Sequence, residues 1–194
     1  AVRFLRMNGP FLLMGEIRHR TAIQLKRAMY GRRLGCSNLV LGAGARLRGI
    51  AHIRVGRHFQ ADDGLWLEAV TAHPGQAFSP SIVIGNDVSI SKWTHIAATS
   101  RVEIGDGTLI GSKVLITDHN HGQYREEWDA SVPPALRPLD RDRPTVIGKN
   151  VWLCDGVVVT PGSIIGDGAV IGANSVVVGA IPPGSIAVGS PARC

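Results

Sequence analysis

Aliphatic residues recur at every sixth position along much of this chain, and that period excludes most folds. From Ile147 the step gives Leu153, Val159, Ile165, Ile171 and Val177. Earlier it gives Ile84, Ile90 and Ile96, then, after a slip of two residues, Ile104, Ile110 and Ile116; earlier still, Leu41, Leu47 and Ile53. Such a period fits neither a helix, at about 3.6 residues per turn, nor the two-residue alternation of a sandwich strand. It fits a solenoid of short strands in which three hexapeptides make one coil of a triangular prism. The recurring aliphatic residue points inward, and Gly, Asn and Asp turn the corners. The 24 glycines set against 5% aromatics suit a backbone of many corners better than a large aromatic core. At 44% hydrophobic residues the chain has enough apolar side chain to bury one.

Two segments break the rhythm. In the first, Ile17, Ala22, Ile23, Leu25, Ala28 and Met29 fall near helical spacing, which predicts one or two helices from about Pro10 to Tyr30, ended by Gly31. The chain therefore divides into an amino-terminal helical segment, residues 1–34, and a solenoid domain, residues 35–193. Arg18, Arg20, Lys26, Arg27, Arg32 and Arg33 make the first segment basic. Docking on an anionic membrane surface is one reading of them; a solvated helix face covering the end of the solenoid is the other. The second break is an excursion loop over about residues 117–145, which opens Thr-Asp-His-Asn-His. Pro133, Pro134, Pro138 and Pro144 stiffen it, and Tyr124 and Trp128 predict that it packs.

The net charge of +6 and pI near 9.8 suit nucleic acid, an anionic membrane or a phosphate-bearing small molecule, and decide among none of them. No nucleic-acid motif is present and the basic residues read as dispersed, so no nucleic-acid partner is expected. Cys36, Cys154 and Cys194 are odd in number and form no Cys-x-x-Cys pair, which indicates neither a disulfide framework nor a zinc site. A reducing cytoplasm is the simpler expectation. No apolar run approaches the roughly 18 residues of a membrane span, and Phe11–Gly15 is too short for a signal core.

The segment Pro144–Arg193 carries Asn-Val-Trp at 150–152, Ile-Pro-Pro at 181–183 and Gly-Ser-Pro-Ala-Arg at 189–193. In combination these closely resemble the hexapeptide-repeat O-acetyltransferases, which include galactoside and maltose acetyltransferases and enzymes that acetylate O-antigen and capsule sugars. The resemblance covers roughly residues 35–193. It implies a left-handed parallel β-helix and a homotrimer with acetyl-CoA lying between neighbouring prisms. It further implies transfer of acetyl to a hydroxyl of a saccharide acceptor, in bacterial surface polysaccharide biosynthesis.

A closed prism has no pocket, so the excursion is where a concavity is expected. A sugar hydroxyl attacks a thioester well only if its proton is taken as it attacks, and a neutral imidazole is the usual base. Aligned on the galactoside-type motif the base falls on His119; aligned on antibiotic-modifying acetyltransferases it falls on His121. The first alignment is preferred, and Asp118 either orients the imidazole or caps a turn. The resemblance places Asp62 where galactoside enzymes carry an acceptor-binding Asn, with Asp63, Trp66 and Glu68 nearby and Trp66 a candidate to stack on a sugar ring. For the donor it implies Trp152, Asp155, Ala173, Val178 and Gly179, with Arg193 near the nucleotide phosphates. Asp155 departs from the family's usual small residue. No metal is expected, because the thioester is already activated. Two alternatives stand beside this reading: N-acylation of an amino sugar on the same scaffold, and a zinc hydratase using His95, His119 and His121, whose spacing does not match that family.

Overall fold

The structure is a computed structural model, and it describes residues 29–122, 131–140 and 143–194. Three parallel sheets form the faces of a prism. The first face stacks Val40–Leu41, Gln60–Ala61, Ser89–Ile90, Leu109–Ile110, Trp152–Leu153, Val170–Ile171 and Ile186–Gly189, closed by antiparallel Ala192–Arg193. The second stacks Arg46–Arg48, Trp66–Ala69, His95–Ala98, Leu115–Thr117, Val158–Val159 and Val176–Val177. The third stacks Ile53–Val55, Ser81–Ile84, Arg101–Ile104, Thr145–Ile147, Ile164–Ile165 and Ala180–Ile181.

The six-residue rhythm is the core. Ile53, Ile96, Ile110, Ile116, Leu153, Val159, Ile171 and Val177 are fully buried, and within a face they stack coil on coil: Ile110, Leu153 and Ile171 on the first, Ile96, Ile116, Val159 and Val177 on the second. Strands of only two to four residues would not pair stably alone; stacking gives each one hydrogen-bonded neighbours above and below. At the edge between the first and second faces, Gly64, Trp93, Lys113, Gly156 and Asn174 all take positive φ. Each donates its N–H to a carbonyl of the preceding coil, as Trp93 does to Asp63 at 2.9 Å. Gly64 must lack a side chain, because a Cβ there would enter the Trp93 ring.

All irregularity in the first four coils falls on one edge, between the second and third faces. The regular coil takes 18 residues, as from Trp152 to its partner Val170. The first coil inserts a short 3-10 turn, Ile50–His52. The second takes 29 residues, Trp66 pairing with His95, and throws out a hairpin of Ala72–His73 and Gln76–Ala77. The third carries the two-residue slip at Thr99–Ser100. The fourth takes 43 residues, Leu115 pairing with Val158, and holds the excursion.

Helix runs over residues 29–34, past Gly31. It stops at Gly35, which takes φ +77°, with the Cys36 N–H closing onto the Gly31 carbonyl at 2.9 Å. That is a C-terminal cap with glycine one residue beyond the helix, so Gly35 rather than Gly31 is the stop. Gly31 serves packing instead: a Cβ there would lie 3.0 Å from the Cys36 carbonyl oxygen. Leu34 is fully buried and joins the core at the prism's end. The rest of the expected amino-terminal helices, and Tyr124 and Trp128 of the excursion, lie outside the described residues.

Candidate active site

The slip of two residues at Thr99–Ser100 widens one corner of the third coil, and Asp118 from the fourth coil fills it. The Asp118 side chain is fully buried. Its Oδ1 accepts the Thr99 N–H at 2.9 Å, and its Oδ2 accepts the Ser100 and Arg101 N–H groups, both at 2.7 Å. Burial alone pushes the carboxyl upward, but the His119 contact and the Thr99 and Ser100 N–H groups outweigh it and hold the group below its ordinary value. Asp118 is therefore a carboxylate, and its negative charge is held on one edge of the prism.

His119 leaves the coil directly after this anchor. Its Nδ1 lies 2.8 Å from Asp118 Oδ1, and its backbone N–H reaches the Thr117 hydroxyl at 3.3 Å. A carboxylate only accepts, so Nδ1 carries the proton and Nε2 keeps its lone pair. The His119 side chain is 12% exposed, enough for a substrate to meet it at one edge. The chain returns at Thr145, fully buried, whose hydroxyl donates to the Thr117 carbonyl at 2.9 Å and closes the base of the loop.

Beside it, the second face carries a ladder of Arg48, Trp66 and His95. The Trp66 and His95 rings stack at 4.0 Å between centroids and 14° between planes, and Arg48 lies on the opposite face of the indole, 6.0 Å from its centroid. Both faces of Trp66 are thus occupied by neighbouring coils. A sugar stacking on Trp66 would have to share the ring with these neighbours, and the indole is only partly exposed. Glu68 bonds Arg48 at 3.2 Å and stands 3.7 Å from His95 Nε2, beyond hydrogen-bond length. Burial lowers the His95 pKa, Glu68 opposes the shift, and the neighbouring His119 adds to it.

The excursion and the hairpin form one wall. Asn120–His121 pair antiparallel with Leu139–Asp140. Gln76 of the hairpin grips Leu139 from both sides, accepting its N–H at 2.6 Å and donating to its carbonyl at 3.2 Å. His73 Nε2 meets the Arg137 carbonyl at 3.0 Å, and its ring stands edge-on to His121 at 5.6 Å. His121 is exposed, and its ring meets His73 of this wall. Among the described residues of one chain, no group of three His, Cys, Asp or Glu side chains able to hold a metal occurs.

Other expected residues are distributed more widely. Asp62 is exposed on the second coil, two coils from the one that carries His119; the intervening third coil presents Ser91, Lys92 and Trp93 at that corner. Asp63 accepts the Ala43 N–H at 2.7 Å, and Asp155 accepts the Ser112 N–H at 2.6 Å. Both cap the corner of the coil before, as Asp106 and Asp167 do for Asn86 and Lys149 at 2.7 Å. The acid at 155 is thereby explained without a cofactor. Trp152 is half exposed on the first face, Ala173 is exposed at the first-to-second edge, and Val178 and Gly179 lie exposed at the second-to-third edge, the edge of His119. Arg193 is exposed on the closing strand of the first face and bonds its own Ala192 carbonyl at 2.9 Å. The hairpin, with His73 and Gln76, escaped the sequence reading; His-Pro-Gly at 73–75, off the six-residue step, was its signal.

A family model described as bacterial transferase hexapeptide (six repeats) matches residues 144–179. WbbJ of Escherichia coli K12, named as a lipopolysaccharide biosynthesis O-acetyl transferase, is 41% identical over 76% of this chain and 72% of its own. Galactoside O-acetyltransferase of the same organism is 34% identical over 60% of this chain; the match spans about half of that enzyme, 54%. Among solved structures, the N-acyltransferase AntD from Bacillus cereus, in complex with dTDP and 3-hydroxybutyryl-CoA, superposes with a TM-score of 0.66 over 81% of this chain and 79% of its own. At 18% identity that likeness concerns the fold alone. The period of six, the prism it builds and the extent of the match to WbbJ together establish that the chain belongs to the hexapeptide-repeat O-acetyltransferase family.

Proposed function

We propose that the protein transfers acetyl from acetyl-CoA directly to a hydroxyl of a saccharide of the bacterial surface polysaccharide class, with His119 as general base. The observation that carries this reading is the Asp118–His119 pair, a buried carboxylate holding one imidazole nitrogen while the other stays open. The hydroxyl attacks the thioester carbon as His119 Nε2 takes its proton, and the imidazolium forms against the Asp118 carboxylate. The tetrahedral intermediate collapses, the carbon–sulfur bond breaks, and the coenzyme A thiolate takes the proton from Nε2. Proton removal of this kind contributes about a hundred- to ten-thousandfold. The acceptor class is that in WbbJ's name, and the basis is identity across most of both chains.

The donor residues expected from the family lie on two different edges of one prism: Asp155 and Ala173 on one, Val178 and Gly179 on the other. A groove between neighbouring prisms joins two such edges, which supports a homotrimer with shared sites. Light scattering that gave a monomer mass at micromolar concentration would count against the trimer and the shared site together. No helix among the described residues is long and apolar enough to cross a membrane. A cytoplasmic location follows from the proposed donor.

The test is product analysis after incubation with acetyl-CoA and a panel of bacterial glycans. The expected product is an alkali-labile O-acetyl ester formed with one equivalent of free coenzyme A. An alkali-stable amide on an amino sugar would replace the hydroxyl acceptor with an amine.

A further inference from the structure

We propose that the amino-terminal end of the prism docks on an anionic lipid surface. Counted along the chain, charge is segregated and not dispersed. Residues 1–61 hold twelve Lys and Arg against one acid, Glu16; residues 62–194 hold nine against fourteen. In the described part of that first stretch, Arg32, Arg33, Arg46, Arg48, Arg54 and Arg57 are all exposed, and no Asp or Glu accompanies them. Among the described residues only Arg48 of the six reaches a carboxylate, Glu68.

Their placement selects the shape of partner. Arg46 and Arg48 project from the second face, Arg54 lies on the third, Arg57 stands at the third-to-first edge, and Arg32 and Arg33 ride on the capping helix. The charges encircle one end of the prism and do not line a groove on one side. A planar anionic surface meets such a ring at many points, whereas a nucleic-acid strand or duplex follows a groove or stripe. An apolar side chain accompanies the charges: Met29, on the same helix as Arg32 and Arg33, is half exposed. Guanidinium groups pair with lipid phosphates, and each one near an anionic leaflet raises binding by about fivefold.

The experiment is cosedimentation of the full chain with phosphatidylglycerol–phosphatidylcholine vesicles and with phosphatidylcholine vesicles alone. It is run at low salt and at about 0.5 M salt, where surface charges are screened. The quadruple variant Arg32→Gln, Arg33→Gln, Arg46→Gln, Arg57→Gln is run in parallel; it spares Arg48, which touches Trp66 and Glu68. The expected result is binding to the anionic vesicles only, weakened by salt. The variant should bind at least tenfold more weakly while keeping its thermal midpoint and its acetyl transfer to a soluble acceptor. Absence of vesicle binding, equal binding to neutral vesicles, or unchanged binding by a folded variant would each overturn the proposal. Tighter binding to an RNA oligonucleotide than to the vesicles would reassign the ring to nucleic acid.

Discussion

Asp118 Oδ1 lies 2.8 Å from Nδ1 of His119, the next residue in the chain, and the same carboxylate accepts three backbone N–H groups from the corner one coil before. One side chain thus ties the excursion loop to the prism and fixes the imidazole tautomer. Asp118→Asn cannot do both. If its amide oxygen serves Ser100 and Arg101, its NH2 faces His119 Nδ1 and forces the proton onto Nε2, which is the wrong nitrogen for a base. We expect kcat to fall by at least about a hundredfold with acetyl-CoA affinity little changed. Steady-state kinetics with the donor Kd measured separately would check it.

The same substitution has a pH signature. The Asp118 carboxyl is held below its ordinary value, so its contribution to stability is present above the unfolded carboxyl pKa and is lost as pH falls through the folded one. Thermal midpoints of wild type and Asp118→Asn should differ most near neutrality. The gap should narrow below about pH 4, where the reference carboxyl begins to protonate. A gap that is constant with pH would mean Asp118 is not ionised in the fold.

Of the two histidines in the excursion, only His119 is tied to the carboxylate. His119→Ala should lose at least about a hundredfold in kcat with donor binding retained. His121→Ala should lose less, and more of its loss should be in the acceptor KM. A dead His121→Ala beside a nearly normal His119→Ala would move the base by two residues and leave the mechanism intact.

Gln76 is a latch between the two loops, because its amide satisfies both backbone groups of Leu139 at 2.6 and 3.2 Å. Gln76→Ala leaves that pair without partners, at a cost of about 1–3 kcal/mol. Loss should be local. Hydrogen exchange at residues 120–122 and 136–140 should speed up, and the acceptor KM should rise more than kcat falls. Unchanged exchange there would refute the latch.

Gly148 tests the prism itself. A Cβ at this position would collide with Asp167 Oδ1 and lie 2.7 Å from the Asp167 N–H, the corner of the next coil. Gly148 has no positive φ, so the objection is steric alone. Gly148→Ala should lower stability by about 2–3 kcal/mol, seen as a lower thermal midpoint. Gly75→Ala, with open space at the hairpin tip though a positive φ of 74°, should cost less.

The sequence by itself determined the prism. Ile147, Leu153, Val159, Ile165, Ile171 and Val177 recur because each coil must bury the same position against its neighbours, so the constraint is local, periodic and readable from spacing. It also marked the excursion, because a break in such a period has few other causes, and with it the candidates Asp118, His119 and His121. What the tertiary structure alone decided is what those residues meet. The two-residue slip after Ile96 read as an irregularity; folding turns it into the pocket for Asp118, because residues 17 to 19 positions apart become adjacent across one coil. Asp63 read as a candidate by its place beside Asp62, and Asp155 by the resemblance; stacking sets both carboxylates on corner N–H groups. Trp66 read as a candidate sugar platform; its neighbours in the stack, Arg48 and His95, lie 18 and 29 residues away, and only folding brings them to the ring. Spacing along a chain reports what one coil repeats, and it is silent on which side chains successive coils bring together.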